Sequence, residues 1–219
     1  MNNRYSDVEA PVETSGPGAS RRVSRGIMQA LELQQLVPGQ RLVETDLAAQ
    51  YGVGRNAVRE AVQWLAAHGV IDLTRHRSAA IRRLDAAEAL EVLDVAEAMI
   101  GLIVRTAARQ YEAGSHGAVL KAALAELERA ADDAGAFSRA RRHFYRALIE
   151  IGGNRELFRL FPAVGVHILY AQYRSTALER IRLGEFQAMA TAVMGKDPDQ
   201  AEAAARAYVG KLRAIVGGA

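Results

Sequence analysis

The 219-residue chain contains no cysteine, which excludes disulfides, thiolate metal ligands and a cysteine nucleophile. No apolar run approaches the ~20 residues needed to cross a bilayer. The first twenty residues, MNNRYSDVEAPVETSGPGAS, lack the apolar stretch of a secretory signal. These absences lead to the expectation of a cytoplasmic protein with no membrane partner. Also missing are a phosphate-binding glycine loop, a Ser-His-Asp arrangement and a paired-carboxylate site, so the chain does not read as an enzyme. What is present is 50% hydrophobic and 24% charged, the balance of a globular chain long enough for two small domains.

The net charge of +3 is unevenly distributed. Residues 1–20 carry one arginine against three acids; residues 21–83 carry ten arginines against five; from 84 onward seventeen bases face seventeen acids. The positive excess therefore lies in one stretch, and every base in it is arginine. A planar guanidinium donates two parallel hydrogen bonds to phosphate or guanine, so this concentration points to nucleic acid.

Residues 1–20, rich in Pro, Gly, Ser and Glu, read as a disordered tail. A helix is expected over 21–36, stopped by Pro38-Gly39, and a short one over 45–51. After Gly52 a third is expected over 55–68, with Val58, Ala61, Val62 and Leu65 on one buried face. Two strands, 70–74 and 80–83, follow, joined by Arg75-His76-Arg77-Ser78. Beyond Leu84 the pattern is helical throughout: 85–111, opened by a capping box at Asp85 and Glu88, then 117–132, 136–151, 154–181, bent or broken near Pro162, 185–194, and 198–216 with Asp197 as N-cap and Pro198 at its first position. The expected fold is mainly α: a tail over 1–20, a winged helix-turn-helix over 21–83, and an all-α helical bundle over 84–219.

A helix-turn-helix enters the major groove with the N-terminal end of its second helix. Here that end carries Arg55, Asn56 and Arg59. Arg55 and Arg59 share a face away from the buried stripe, and Asn56 offers both donor and acceptor. The basic wing tip, Arg75-His76-Arg77, is suited to phosphate or a minor groove. Glu44 and Glu60 read as structural, because a carboxylate facing phosphate is repelled. An alternative role for Arg59 is a salt bridge to a local acid such as Glu60 or Asp46.

The stretch PGQRLVETDLAAQYGVGRNAVREAVQWLAAHGVI resembles the DNA-binding domain of the GntR superfamily. The match runs through Pro38-Gly39, Leu42, Glu44, Leu47-Ala48, Gly52-Val53, Arg55, Val58-Arg59-Glu60-Ala61, Leu65 and Gly69. It departs at Gly54, where Ser is usual, and at Asn56-Ala57, where Thr-Pro is common. The resemblance implies that Arg55 and Arg59 make the main DNA contacts. Thr45 stands where fatty-acid-responsive relatives carry a further DNA-contacting arginine, and Arg75 stands at their wing-tip histidine.

The stretches EVLDVAEAMIGLIVRTAA, RRHFYRALIEIGGNRELF and EFQAMATAVMGKDPDQAEAAARAYV resemble the FCD ligand-binding domain of the FadR-like subfamily, a helical bundle that usually dimerises. Many such domains hold a divalent metal through one Asp and three His. Those positions fall here on Arg141, Tyr145, Phe186 and Tyr208, and the Arg and Glu that meet small carboxylates in relatives align with Ala96 and Ile100. A guanidinium repels a metal and phenylalanine has no donor atom, so neither metal nor other cofactor is expected. His143 and His167 are scattered and read as ordinary core or surface residues. Walls of Ala96, Ile100, Tyr145, Phe186 and Tyr208 suit an apolar or lipid-like effector with its anionic end at Arg141; alternatively these side chains simply fill the bundle.

The reading as a whole is a ligand-responsive transcription regulator, a repressor that binds a palindromic operator in double-stranded DNA as a homodimer. Its alternatives are an architectural DNA-binding dimer without effector, or a regulator that senses a small carboxylate.

Overall fold

A computed structural model describes residues 16–73, 79–161, 166–173 and 176–218. The first helix, α1, spans Pro17–Glu32, so it opens inside the stretch expected as tail. Pro17 supplies a preset φ where no N–H partner is needed, and Ala19 already lies fully buried, in line with Val23, Ile27 and Leu31. The residues of that expected tail before 16 lie outside the described part. The helix also ends earlier than its apolar pattern suggests. Gln34 turns left-handed at φ 59°, and the N–H groups of Gln35 and Leu36 both return to the Ala30 carbonyl, at 2.8 and 3.1 Å.

Strand β1, Arg41–Leu42, leads into α2, Glu44–Tyr51. Gly52, left-handed at φ 60°, turns the chain toward α3, Arg55–Ala67. Strands β2, Ile71–Leu73, and β3, Ala79–Ile81, complete an antiparallel sheet in the order β1-β3-β2, with Ile71 opposite Ile81 and Leu42 opposite Ala79. Helix, short helix, turn, helix and a small sheet make a winged helix-turn-helix. Its core is the buried face of α1 packed on Val58, Ala61, Val62 and Leu65 of α3.

The remaining chain is helical: α4 Ala86–Gln110, α5 Ala113–Arg129, α6 Ala134–Gly152, α7 Arg155–Leu160, α8 Val166–Gln172, α9 Thr176–Met194 and α10 Pro198–Gly217. Local caps set several starts. Asp85 and Glu88 exchange both bonds of a capping box, Asp133 accepts from Ala136, and Asp197 accepts from Gln200 ahead of Pro198. The helix expected over 154–181 is not one element. It is divided among α7, α8 and the first part of α9, and Pro162, where a bend or break is expected, lies outside the described residues. The separate helix expected over 185–194 is the second half of α9, which continues through Gly184. A mid-helix glycine costs only about 1 kcal/mol, and buried Phe186, Met189, Ala190 and Val193 outweigh it.

Helix α4 is central and lies against α6, α9 and α10. Its approach to α6 is close: a Cβ on Gly152 would stand 2.7 Å from Thr106 Oγ1 and 3.2 Å from the Ala107 nitrogen. No helix of the described residues is long and apolar enough to cross a membrane.

Head and bundle touch at specific points. The Gln172 side chain of α8 brackets the Leu84 peptide between the wing and α4, accepting from its N–H at 2.9 Å and donating to its carbonyl at 2.6 Å. Arg82 reaches Glu88 in the first turn of α4 at 3.4 Å. Glu32 at the end of α1 pairs with Arg142 of α6.

Candidate nucleic-acid interface and effector cavity

The apolar period of α3 decides which of its residues face outward. With Ala57, Val58, Ala61, Val62 and Leu65 buried, Arg55, Asn56 and Arg59 are exposed. Gly54 precedes the helix in an extended conformation and gives it no side-chain cap. The first turn therefore has no side-chain acceptor at its cap, and phosphate is a strong acceptor for such N–H groups. Thr45, exposed on α2, donates to Asp46 at 3.2 Å. Arg59 Nε donates to Glu44 Oε2 at 2.9 Å. A local carboxylate does take Arg59, but it belongs to Glu44 rather than to Glu60 or Asp46. Arg75, His76 and Arg77 lie outside the described residues.

In the bundle, Tyr145, Phe186 and Tyr208 come together. The Phe186 ring lies 5.7 Å from Tyr145, 5.4 Å from Tyr208, 5.2 Å from Phe144 and 5.9 Å from Phe137, separations typical of edge and tilted aromatic contacts. Ala96 and Ile100 are buried on α4. Arg141 is only 6% exposed and lies over the Tyr170 ring, 3.6 Å from its centre. No carboxylate of the described residues pairs with it, and its Nη1 is buried without a hydrogen-bond partner. The hydroxyls of Tyr145 and Tyr208 and Nε2 of His167 are likewise buried and unpartnered.

Arg141, Tyr145 and His167 meet at a cavity of about 260 Å³ whose other walls include Ile149, Phe161 and Val166. Ala96, Ile100, Phe186 and Tyr208 are not among its lining residues. His167 is held neutral, its pKa lowered to about 4 by burial and then by Arg141, Arg142 and Arg82. Burial raises the Tyr145 hydroxyl well above its ordinary value, with Tyr170 adding to the rise and Arg141 opposing it.

The four positions that the resemblance equates with metal ligands do not suit a metal. A guanidinium, a phenyl ring and two phenols, one of them with its pKa pushed up, offer no anionic or imidazole donor. No group of three His, Asp or Glu converges among the described residues. His143 is exposed and faces Glu126 at 3.1 Å, whereas His167 turned out to line the cavity. Glu32, Arg142 and Gln172, which tie head to bundle, escaped the sequence reading because partners so distant along the chain leave no spacing signal.

Residues 91–211 match the family described as FCD domain, and residues 19–81 match that described as bacterial regulatory proteins, gntR family. A protein of Paenarthrobacter nicotinovorans named "Probable D-xylose utilization operon transcriptional repressor" is 27% identical over 128 residues, 58% of this chain and 56% of that protein. The chain thus spans little more than half the length of that relative. The Nta operon transcriptional regulator of Aminobacter aminovorans is 24% identical over 175 residues, 80% of this chain and 83% of that protein. A solved GntR transcriptional regulator from Rhodococcus sp. RHA1 is similar in fold, with a TM-score of 0.76 at 20% identity, covering 91% of this chain and 98% of that chain.

Proposed function

The chain belongs to the gntR family of bacterial regulatory proteins and carries an FCD domain, and we propose that it is a repressor whose grip on a palindromic operator is set by a small effector in the helical bundle. The observation that carries the DNA half is the exposed Arg55, Asn56 and Arg59 face of α3, held outward by a fully buried opposite face. Such a face fits the major groove, with the two arginines on guanine or phosphate and the open first turn of α3 on phosphate. Arg75, His76 and Arg77 are proposed to contact the backbone or the minor groove beside it, and Thr45 to donate to a phosphate. The repressor role draws on the printed name of the Paenarthrobacter relative. Two heads related by a two-fold axis match a palindrome, which is the argument for a homodimer.

For the effector, a buried guanidinium with no carboxylate partner among the described residues favours a molecule with an apolar body and an anionic end. A second reading, an architectural dimer without effector, is favoured by the close ring packing around Phe186.

Selection from a random duplex pool with the full chain tests the DNA half. An enriched two-fold symmetric sequence, bound more weakly as salt rises, is expected. No enrichment at any salt concentration would overturn it. Sedimentation of the complex checks the two-to-one stoichiometry. A thermal-shift screen that finds no stabilising ligand, with operator affinity unchanged by every compound, would favour the architectural reading.

A further inference from the structure

The cavity at Arg141 is not enclosed by the bundle alone. Met28 and Glu32 of α1, a helix of the DNA-binding head, form part of its wall, opposite Arg141 and Tyr145 of α6 and His167 of α8. Arg142, the neighbour of Arg141, pairs there with Glu32, whose side chain is 8% exposed. Burial lowers the pKa of Arg142, and Arg146 on the next turn is already occupied by Glu150 at 2.8 Å. The head therefore supplies the carboxylate at the cavity wall, and that carboxylate serves Arg142 while Arg141 has none among the described residues.

The chemistry of the walls limits the occupant. A cation is repelled by Arg141 and Arg142. A neutral molecule of similar shape leaves the buried Arg141 Nη1 without an acceptor, which is costly in a low-dielectric site. A carboxylate supplies that acceptor, and the unpartnered Tyr145 hydroxyl can donate to it as well, as can His167 when Nε2 carries the proton of the neutral ring. Ile149, Phe158, Phe161 and Val166 make the apolar part of the wall, and a volume near 260 Å³ falls just below the roughly 300–1,000 Å³ usual for ligand pockets.

We propose that this head–bundle cavity binds a small organic carboxylate with an apolar tail, seated on Arg141, and that the bound carboxylate competes with Glu32 for Arg142 and so loosens α1 from the bundle. The proposal rests on the reading of the bundle as an effector domain and adds the site's regulation. The occupant brings a second negative charge beside Glu32, so ligand binding and the Glu32–Arg142 contact oppose each other. Helix α8 carries a further link, because the same seven-residue element that presents His167 to the cavity holds the Leu84 peptide through Gln172. Occupancy therefore acts on two of the head's three attachments, the third being Arg82 with Glu88. The coupling is reciprocal: a ligand that loosens α1 binds more tightly once α1 is already loose.

The test uses the full chain with octanoate as probe, and 1-octanol and acetate as single-feature controls, in titration calorimetry. Octanoate is expected to bind best of the three. Arg141→Gln is expected to weaken octanoate by about 10- to 100-fold, the range for a lost charge-assisted bond. Because a buried arginine can matter for folding, Tyr145→Phe gives a gentler check, with an expected loss of about 2- to 10-fold and no fall in Tm. Glu32→Gln is expected to tighten octanoate by about 2- to 5-fold, since it removes the competing carboxylate. In hydrogen exchange, amides 28–32 should exchange faster when octanoate is present.

Octanol binding as tightly as octanoate, or octanoate binding equally to wild type and Arg141→Gln, would overturn the anion seat. Octanoate that binds while Glu32→Gln leaves its affinity unchanged, or while amides 28–32 become protected, would overturn the competition and leave an effector domain intact. No octanoate binding at all would overturn the whole proposal; the reading of an effector domain then stands or falls separately, on whether any compound stabilises the chain and shifts operator affinity.

Discussion

Arg59 in the head and Arg141 in the bundle carry the same guanidinium into opposite settings. Arg59 is exposed on a helix whose other face is core, and its present partner, Glu44, sits at the surface. Arg141 is buried, rests on the Tyr170 ring and has no carboxylate partner among the described residues. The exposed arginine is suited to a partner whose chemistry does not change, since every duplex presents the same phosphates and the same four base edges. The buried one is matched to whatever enters a particular cavity. This contrast fits a head with a recognisable spacing of residues and a bundle in which the positions that the resemblance equates with metal ligands are Arg141, Tyr145, Phe186 and Tyr208.

The comparison is broken most forcefully in the bundle, where side chains serve packing first. Phe186 is fully buried and touches four other rings. Phe186→Ala is expected to cost about 3–5 kcal/mol by chemical denaturation, the usual price of an aromatic-sized void. A cost under 1 kcal/mol would mean that the ring lines an open pocket rather than filling the core.

His167 gives the next largest effect. Its folded pKa of about 4 lies below the ordinary 6.5, so the unfolded chain binds the proton more readily. The stability tied to neutral His167 is present in full above pH 6.5 and is lost as pH falls through that value toward 4. The limiting loss is roughly 3 kcal/mol. Denaturation of wild type and His167→Gln between pH 7 and 4.5 isolates it: wild type should lose stability faster than the variant. Parallel curves would show that the imidazole is not buried in neutral form.

What was legible in the sequence follows the same division. The stripe Val58, Ala61, Val62 and Leu65 and the caps at Asp85, Glu88 and Asp197 are local, so spacing alone revealed α3 and the starts of α4 and α10. Strand β1 leaves no signal, because two residues, Arg41 and Leu42, carry no period. Local propensity divides helix α9 at Gly184, because it does not show the burial of Phe186 and Met189 that carries the helix through. The cavity was half legible. Arg141 and Tyr145 could be placed by resemblance, but Met28, Glu32 and His167 reach it only through tertiary folding, and Gln172 meets Leu84 across 88 positions.

Arg55 and Arg59 sharpen the contrast from the head's side. Arg55→Ala and Arg59→Ala should each weaken operator binding by about 1–3 kcal/mol and flatten the salt dependence where phosphate is the target. Both residues are exposed, so Tm should stay within about a degree or two, since such surface changes are usually under ~0.5 kcal/mol. Fluorescence anisotropy together with thermal melts separates the two quantities. A large fall in Tm would assign these arginines to structure rather than to DNA.

The smallest effect is expected at Glu44, and its sign is the informative part. In the free protein Glu44 holds Arg59 Nε at 2.9 Å, with both side chains partly open to solvent. An exposed pair of this kind is worth only about 0.2–1 kcal/mol to the fold. When DNA arrives, Arg59 must leave this carboxylate or share it with a phosphate, and the carboxylate itself repels the backbone. Glu44→Gln should therefore leave Tm nearly unchanged and raise affinity for specific and non-specific duplexes alike by less than about fivefold, most visibly at low salt. If affinity falls instead, Glu44 holds the Arg59 fork ready for its base or phosphate, and the head would then depend, as Arg141 does, on its immediate surroundings. Anisotropy at two salt concentrations decides between these, because lost charge repulsion fades as salt rises while lost positioning does not.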